Sequence, residues 1–188
     1  MKKSKIMPVE QALNLISDGE SLAISAAGLV GYPDYVVKCL EDRFLATGHP
    51  AALSLYAGCG HGVPYLHQGD QRFGHEGFLK RIVCSHPDVV PELRTLIEED
   101  KLEAYVLPQG VLQHLYRCSA AGEPGLLTKI GIGTYIDPRQ DGGKINRVTT
   151  EDIVHLMELK GEEWLFYDSF PVHVAIVRGT TADEDGNM

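Results

Sequence analysis

Apolar segments typical of β-strands alternate with segments of helical periodicity along the first two thirds of this chain. Ser21 to Ala27 has the spacing of a strand, and Pro33 to Ala46 repeats apolar residues at helical intervals. The same reasoning predicts further strands at Ala52–Tyr56, Arg81–Cys84 and Glu103–Leu107, and further helices at Pro8–Ile16, Val89–Glu99 and Gln109–Ala121. This alternation predicts an α/β fold, with an open, mostly parallel sheet covered by helices on both faces.

The last third of the chain has a different pattern. After a polar, glycine-rich stretch come three closely spaced strand-like segments, His155–Lys160, Trp164–Tyr167 and Val172–Arg178, which predict a small antiparallel element near the C-terminus. A length of 188 residues suits a single domain, here residues 1–188. Because no closing helix follows the last strand-like segment, we expect this domain to be incomplete at its carboxyl end.

Charge and composition exclude several classes of protein. Seventeen basic against twenty-six acidic side chains give a net charge of -9, which repels nucleic acid and anionic membranes. No window approaches the roughly 18 apolar residues of a membrane span. We therefore expect a cytoplasmic protein with neither nucleic acid nor a membrane as partner. The cysteines form no CxxC pair and are expected to be free thiols: Cys39, Cys59, Cys84 and Cys118.

Glycine-rich stretches follow several of the apolar segments. Gly28–Gly31, Ala57–Gly62 and Leu107–Gly110 come after predicted strands, and Ile130–Thr134 comes after a further apolar segment. Loops that follow parallel strands meet at the carboxyl edge of the sheet, where open α/β sheets bind ligands. Glycine there lets a ligand approach backbone N–H groups, although a turn that needs a positive φ angle would also select it.

Residue types that carry metal or nucleophilic chemistry are present without their usual spacing. Four histidines lie within one quarter of the chain, namely His61, His67, His75 and His86, but no HxH, HxxxH or HExxH motif occurs, so we predict no metal site. His86 either lines a pocket or closes its loop by a hydrogen bond. Cys59 would need a nearby base to act as a nucleophile. Glu76 and Glu123 lie in loops and are expected to be solvated.

Several long motifs together resemble one enzyme family. They are SAAGLVGYP (25–33), AYVLPQGVLQHLYR (104–117), AAGEPGLLTKIGIGTYIDPR (120–139), GGKIN (142–146) and the strand-rich segment 163–187. From about Val9 to the last residue, the sequence resembles the amino-terminal half of family I coenzyme A transferases. It is most similar to the fused acetate, propionate and short-chain 3-oxoacid transferases.

The resemblance implies a reaction in which coenzyme A passes from an acyl-CoA to a free short-chain carboxylate, as in short-chain fatty acid and ketone body metabolism. In that family a glutamate attacks the thioester, and the reaction proceeds through a glutamyl-CoA thioester. Coenzyme A is a substrate, and no permanently bound cofactor is implied. Matching motif positions point to substrate-binding residues Gly28, Gly31, Gln109, Gly110, Gly133 and Thr134.

The family's nucleophilic glutamate lies in the carboxyl-terminal half, in a Glu-x-Gly context that is followed by more glycines, and nothing in this sequence matches that context. Glu123 belongs to the amino-half motif AAGEPG. We therefore expect no catalytic residue in this chain, little activity from it alone, and a C-terminal or β half of the transferase as partner within a homo- or hetero-oligomer.

Three interpretations of the chain follow: part of a fused enzyme, a separate α subunit, or a non-catalytic ligand-binding domain. A sugar-phosphate isomerase of related fold is a further alternative, with Ser25 and Thr134 as phosphate-binding residues.

Overall fold

The computed structural model describes residues 5–63 and 65–188 and contains two β-sheets. The strands in chain order are β1 (Ser21–Ile24), β2 (Leu53–Ala57), β3 (Leu79–Cys84), β4 (Glu103–Val106), β5 (Gly125–Thr128), β6 (Val154–Leu159), β7 (Glu162–Asp168) and β8 (Val174–Ile176). Five of them form a parallel sheet in the order β4-β3-β2-β1-β8. The other three form an antiparallel sheet in the order β5-β7-β6.

The helices agree closely with the sequence pattern. They are α1 (Val9–Ala12, extended by a 3-10 turn over Leu13–Leu15), α2 (Asp34–Thr47), α3 (Pro91–Glu98) and α4 (Gln109–Ala121). Both ends of α4 are as predicted. Helix α3 begins two residues later than predicted because Pro91, whose missing N–H is tolerated in a first helical turn, starts it after a separate 3-10 turn at Pro87–Val89.

The last strand, β8, does not belong to the small antiparallel sheet, where the sequence pattern had placed it. The small antiparallel sheet was confirmed, but its third member is β5, whereas β8 joins the large sheet beside β1 in parallel register, with Leu22 opposite Val174. The physical reason is burial: Ile176 is only 9% exposed and packs into the same apolar core as Leu22 and Ile24.

Side chains of the central strands alternate between two apolar cores. Leu55 and Ile82 point to one face, where α1, α2 and α3 pack. Tyr56, Val83 and Tyr105 point to the other, where α4 contributes Val111, Leu112 and Leu115. Helices therefore cover both faces of the parallel sheet, as the sequence predicted. Among the described residues, no helix is both long and apolar enough to cross a bilayer.

The small sheet packs on the α4 side of the large one. Leu165 and Tyr167 of β7 are fully buried in the same core as α4. The ring of Phe170 stacks on that of Tyr56 with centroids 3.9 Å apart. The layers are thus helices α1–α3, the parallel sheet, and then α4 together with the small sheet.

A short segment after β5 returns to the edge of the large sheet. The Val106 N–H donates to the Gly143 carbonyl at 2.8 Å, and the Ile145 N–H donates to the Ala104 carbonyl at 3.1 Å. Gly143 has a φ of 80°, and a Cβ there would lie 2.9 Å from Leu107 Cδ2. Only a glycine fits this approach, which brings the GGK motif beside the Leu107–Gly110 loop.

We predict that Tyr167→Phe lowers the free energy of unfolding by about 1 kcal/mol, because it removes one buried hydrogen bond. The Tyr167 hydroxyl donates to the Ile130 carbonyl at 2.7 Å and joins β7 to the loop after β5. Urea unfolding monitored by circular dichroism measures the change. Tyr65→Phe is the control, since Tyr65 is 89% exposed, and an equal effect of both substitutions would contradict the prediction.

Candidate functional site

The carboxyl ends of the five parallel strands bring five loops to one edge of the sheet. They are residues 25–31 after β1, 58–62 after β2, 85–86 after β3, 107–110 after β4 and 177–179 after β8. Ligands of open α/β sheets bind at this edge. We therefore describe these loops as the candidate site.

The loop after β1 contains a tight two-residue turn. Ala27 and Val30 exchange backbone hydrogen bonds at 3.1 and 3.0 Å, and Gly28 occupies the first central position with a φ of 58°. A positive φ at that position favours glycine. Gly31 also has a positive φ, of 76°. No atom of the described residues lies within 4 Å of where a Cβ of Gly28 or Gly31 would be, so both predicted residues border open space in that part of the structure.

A buried polar cluster connects the first two loops beneath the candidate site. The Tyr32 hydroxyl donates to Asp70 Oδ1 at 2.9 Å, and the His61 backbone N–H donates to Asp70 Oδ2 at 3.3 Å. His61 Nδ1 lies 3.1 Å from the same oxygen, but is not aligned for a hydrogen bond. Burial, and then the Asp70 carboxylate, raise the pKa of Tyr32 well above its usual range, so the phenol remains a donor.

A cysteine and a histidine meet where β2 and β3 end. Cys59 Sγ lies 3.5 Å from His86 Nε2, and the Gly60 N–H donates to the same nitrogen at 3.4 Å. Because Nε2 accepts this bond, we assign the proton to Nδ1, which lies 2.6 Å from Ser85 Oγ. His86 therefore closes its loop by hydrogen bonds. It is also the base beside Cys59 that the sequence could not locate.

A cavity of about 300 Å³ opens between β1, β8 and α4. Its walls are Ala23, Ile24, Ser25, Ala26, Gly58, Gln113, Tyr116, Ala175 and Val177. A Cβ on Gly58 would lie 2.3 Å from Gln113 Nε2, so glycine is what lets this amide approach. The Tyr116 hydroxyl donates to the Tyr56 carbonyl at 2.8 Å, which fixes the ring at the cavity wall. The described residues of the lining carry no charged side chain.

The predicted substrate-binding residues lie in three loops, and none of them is in the walls of this cavity. Gln109 and Gly110 are the first two residues of α4, and both are exposed. No side chain caps this helix end, so its first N–H groups are available to an anion or an oxyanion. Gly133 and Thr134 follow β5, which belongs to the small sheet, so the rule about carboxyl edges that predicted their position does not apply to them.

The Gly133–Thr134 loop is held by its own contacts. The Gly133 N–H donates to Asp137 Oδ2 at 2.9 Å, and the Thr134 hydroxyl donates to the Gly131 carbonyl at 2.8 Å. The Arg139 guanidinium, which binds both carboxylate oxygens of Asp137, holds the pKa of that carboxyl well below its usual range. The hydroxyl of Thr134 is therefore engaged within its own loop.

Sequence reasoning missed Gln113 and Tyr116, which lie one helical turn apart on α4 and line the cavity. It also missed the pairing of Cys59 with His86. The available signal was positional, since the two residues follow adjacent strands of one parallel sheet.

Comparisons with known proteins agree with this architecture. The coenzyme A transferase family model matches residues 6–188, and the chain belongs to that family. It is 43% identical to the caffeate CoA-transferase of Acetobacterium woodii, over 98% of this chain and 35% of that enzyme. It is 24% identical to the acetate CoA-transferase subunit alpha of Escherichia coli, over 99% of this chain and 74% of that subunit.

A solved structure is also similar over nearly the whole chain. The acyl-CoA transferase YdiF of E. coli O157:H7, crystallised as a thioester complex with CoA, superimposes with a TM-score of 0.93 and 35% identity, over 97% of this chain and 36% of that one. The present chain thus spans about a third of the length of the first curated relatives that it matches.

We predict that alkylation of the native protein separates its four free thiols into two classes. Cys39 and Cys59 are partly exposed and should react with iodoacetamide, whereas Cys84 and Cys118 are buried and should not. Burial raises the pKa of Cys84 to about 12, so at neutral pH it also lacks the reactive thiolate. Peptide mass spectrometry before and after denaturation measures this, and native labelling of Cys84 would contradict it.

Proposed function

We propose that this chain forms the amino-terminal half of a CoA-transferase that moves coenzyme A between a short-chain acyl-CoA and a free carboxylic acid. The observation that carries the proposal is the coverage of the relatives. Nearly all of this chain matches about a third of caffeate CoA-transferase and three quarters of a subunit named alpha. A C-terminal or β half would complete the site, within a cytoplasmic homo- or hetero-oligomer.

The side chains that line the cavity support a site to which this chain contributes the walls and a second half contributes the nucleophile. No carboxylate lies among the described residues that line the 300 Å³ cavity, and its walls are small and apolar or carry an amide or a hydroxyl group. Such a wall can hold an acyl group but cannot attack a thioester. In this proposal the nucleophile is the glutamate that the family resemblance implies, and it belongs to the completing half.

The proposed reaction forms the glutamyl-CoA thioester in two acyl exchanges. The glutamate carboxylate attacks the thioester carbonyl, the C–S bond breaks, and CoA thiolate leaves an acyl-glutamyl anhydride. The thiolate then attacks the glutamyl carbonyl, which releases the first acid and forms the glutamyl-CoA thioester; the acceptor acid reverses both steps. Each attack develops an oxyanion that backbone N–H groups stabilise, and the uncapped start of α4 at Gln109 and Gly110 offers such donors.

The direct test is CoA exchange between acetate and an acyl-CoA. The 188-residue protein is assayed alone and together with a C-terminal half from a fused relative, against acetate, butyrate, acetoacetate and caffeate as acceptors. Transfer by the pair, and not by either part, is expected. Transfer by the 188 residues alone would refute the missing nucleophile, and ligand binding by the pair without transfer would favour a non-catalytic ligand-binding domain.

We predict that Gly110→Val lowers kcat of the completed enzyme at least about tenfold, which corresponds to about 1.4 kcal/mol, with little effect on unfolding. In the part of the chain that the structure describes, no atom lies within 4 Å of a Cβ at Gly110, so a side chain fits there but would obstruct a ligand at the start of α4. Steady-state kinetics and thermal unfolding measure the two effects.

Gly143→Val is the matched control for that experiment. A side chain at Gly143 meets Leu107 and the Val106 carbonyl, so this variant should lose stability first. A Gly110 variant with unchanged kcat would show that Gly110 only starts the helix.

A further inference from the structure

Two histidines and a glutamate that are distant in sequence converge on the α2 side of the fold. Glu41 lies on α2, whereas His67 and His75 flank the 3-10 turn Gly69–Phe73. Nε2 of His67 lies 2.6 Å from Glu41 Oε1, and Nε2 of His75 lies 2.8 Å from the same oxygen. The three potential ligand atoms all lie within 4.8 Å of one another.

The geometry points to a divalent metal site at Glu41, His67 and His75, of the kind that binds zinc. Two imidazole nitrogens and one carboxylate oxygen are a known three-ligand zinc set, which leaves a fourth position to water. Zinc–ligand distances of about 2.0–2.1 Å in a tetrahedron place the ligand atoms about 3.3 Å apart. The nitrogens of His67 and His75 are closer than this to Glu41 Oε1, by about 0.7 and 0.5 Å, so each imidazole would move outward by that much on binding, which the 50% exposed side chain of His67 permits.

Neighbouring side chains orient the proposed ligands. Arg72 Nη1 donates to Glu41 Oε2 at 2.9 Å and so leaves Oε1 to the histidines. Two further bonds, to Asp34 at 3.0 and 2.8 Å, anchor the guanidinium. The bond from Arg72 thus fixes the orientation of the Glu41 carboxylate through Oε2 and leaves Oε1 directed at the proposed metal.

Glu92 lies behind His67, at the distance of an ion pair rather than of a direct hydrogen bond. Its Oε1 lies 4.0 Å from His67 Nδ1, and its Oε2 is buried without a hydrogen-bond partner in the described parts of the chain. A carboxylate on the far nitrogen of a metal-bound histidine fixes the tautomer and raises the basicity of the ligand. With both imidazoles neutral, Asp34, Glu41 and Glu92 against Arg72 leave two negative charges for a divalent cation.

The site would act on structure rather than on CoA transfer. A metal there ties α2 to the 67–75 segment. That segment supports the candidate site through Asp70, which binds Tyr32 and His61, and through Gln71, which donates to the carbonyls of Val63 and Leu66. Bound zinc should therefore raise the thermal stability of the protein, and the loop after β2 should be protected from hydrogen exchange.

The test is zinc titration of the untagged, chelator-treated 188-residue protein by calorimetry, with Co²⁺ absorption as a second readout of tetrahedral coordination. One zinc per chain is expected, with His67→Gln and His75→Gln each weakening it at least tenfold and abolishing the zinc-dependent rise in Tm. Glu92→Gln should weaken binding about tenfold without changing the stoichiometry. His155→Gln is the matched control, since His155 pairs with a single carboxylate, Asp168, at 2.8 Å and should leave zinc affinity unchanged.

The absence of saturable binding by the unsubstituted protein would overturn the site, as would His67→Gln binding zinc like the parent. His67 is half exposed, so its variant is expected to fold even if the His75 variant does not.

Discussion

The central strands are buried on both faces, and this requirement determines where the helices and the small sheet pack. A parallel sheet needs cover on each side, and here α1–α3 cover one face while α4 and the small sheet cover the other. The second cover stops short of the β1–β8 edge. There, the small side chains of Ala23 and Ala175 border the 300 Å³ cavity, so this cavity lies where the cover of the sheet ends.

The sequence predicted those elements that are specified by residue spacing and by residues at their own ends. Helix α4 carries Val111, Leu112 and Leu115 at helical spacing and ends before Gly122, whose φ of 69° terminates it, so both its bounds were predictable. The partner of β8 was not predictable in this way. Its spacing identifies a strand, but only tertiary packing decides that Val174 pairs with Leu22 rather than with a neighbouring strand.

In the candidate site, too, some features were predictable from local sequence and others were not. Glycine-rich sequence located the loops after β1, β2 and β4, because backbone conformation is selected locally. Contacts between loops carry no such signal: Cys59 and His86 are 27 residues apart, and Glu41 lies 26 and 34 residues from the histidines that reach it. Motifs of short spacing therefore cannot detect either cluster, although topology places the members of each together.

Strand β1 acquires its second neighbour only late in synthesis. His173 Nδ1 lies 2.7 Å from Ser21 Oγ, across 152 residues of intervening chain, and β8 pairs with β1 directly after it. At about 5–20 residues per second, the ribosome leaves that edge of β1 unpaired for roughly 8–30 seconds. During this interval that edge of the nascent sheet exposes unpaired N–H and C=O groups, so the growing chain is open to pairing with a wrong strand beside the future cavity.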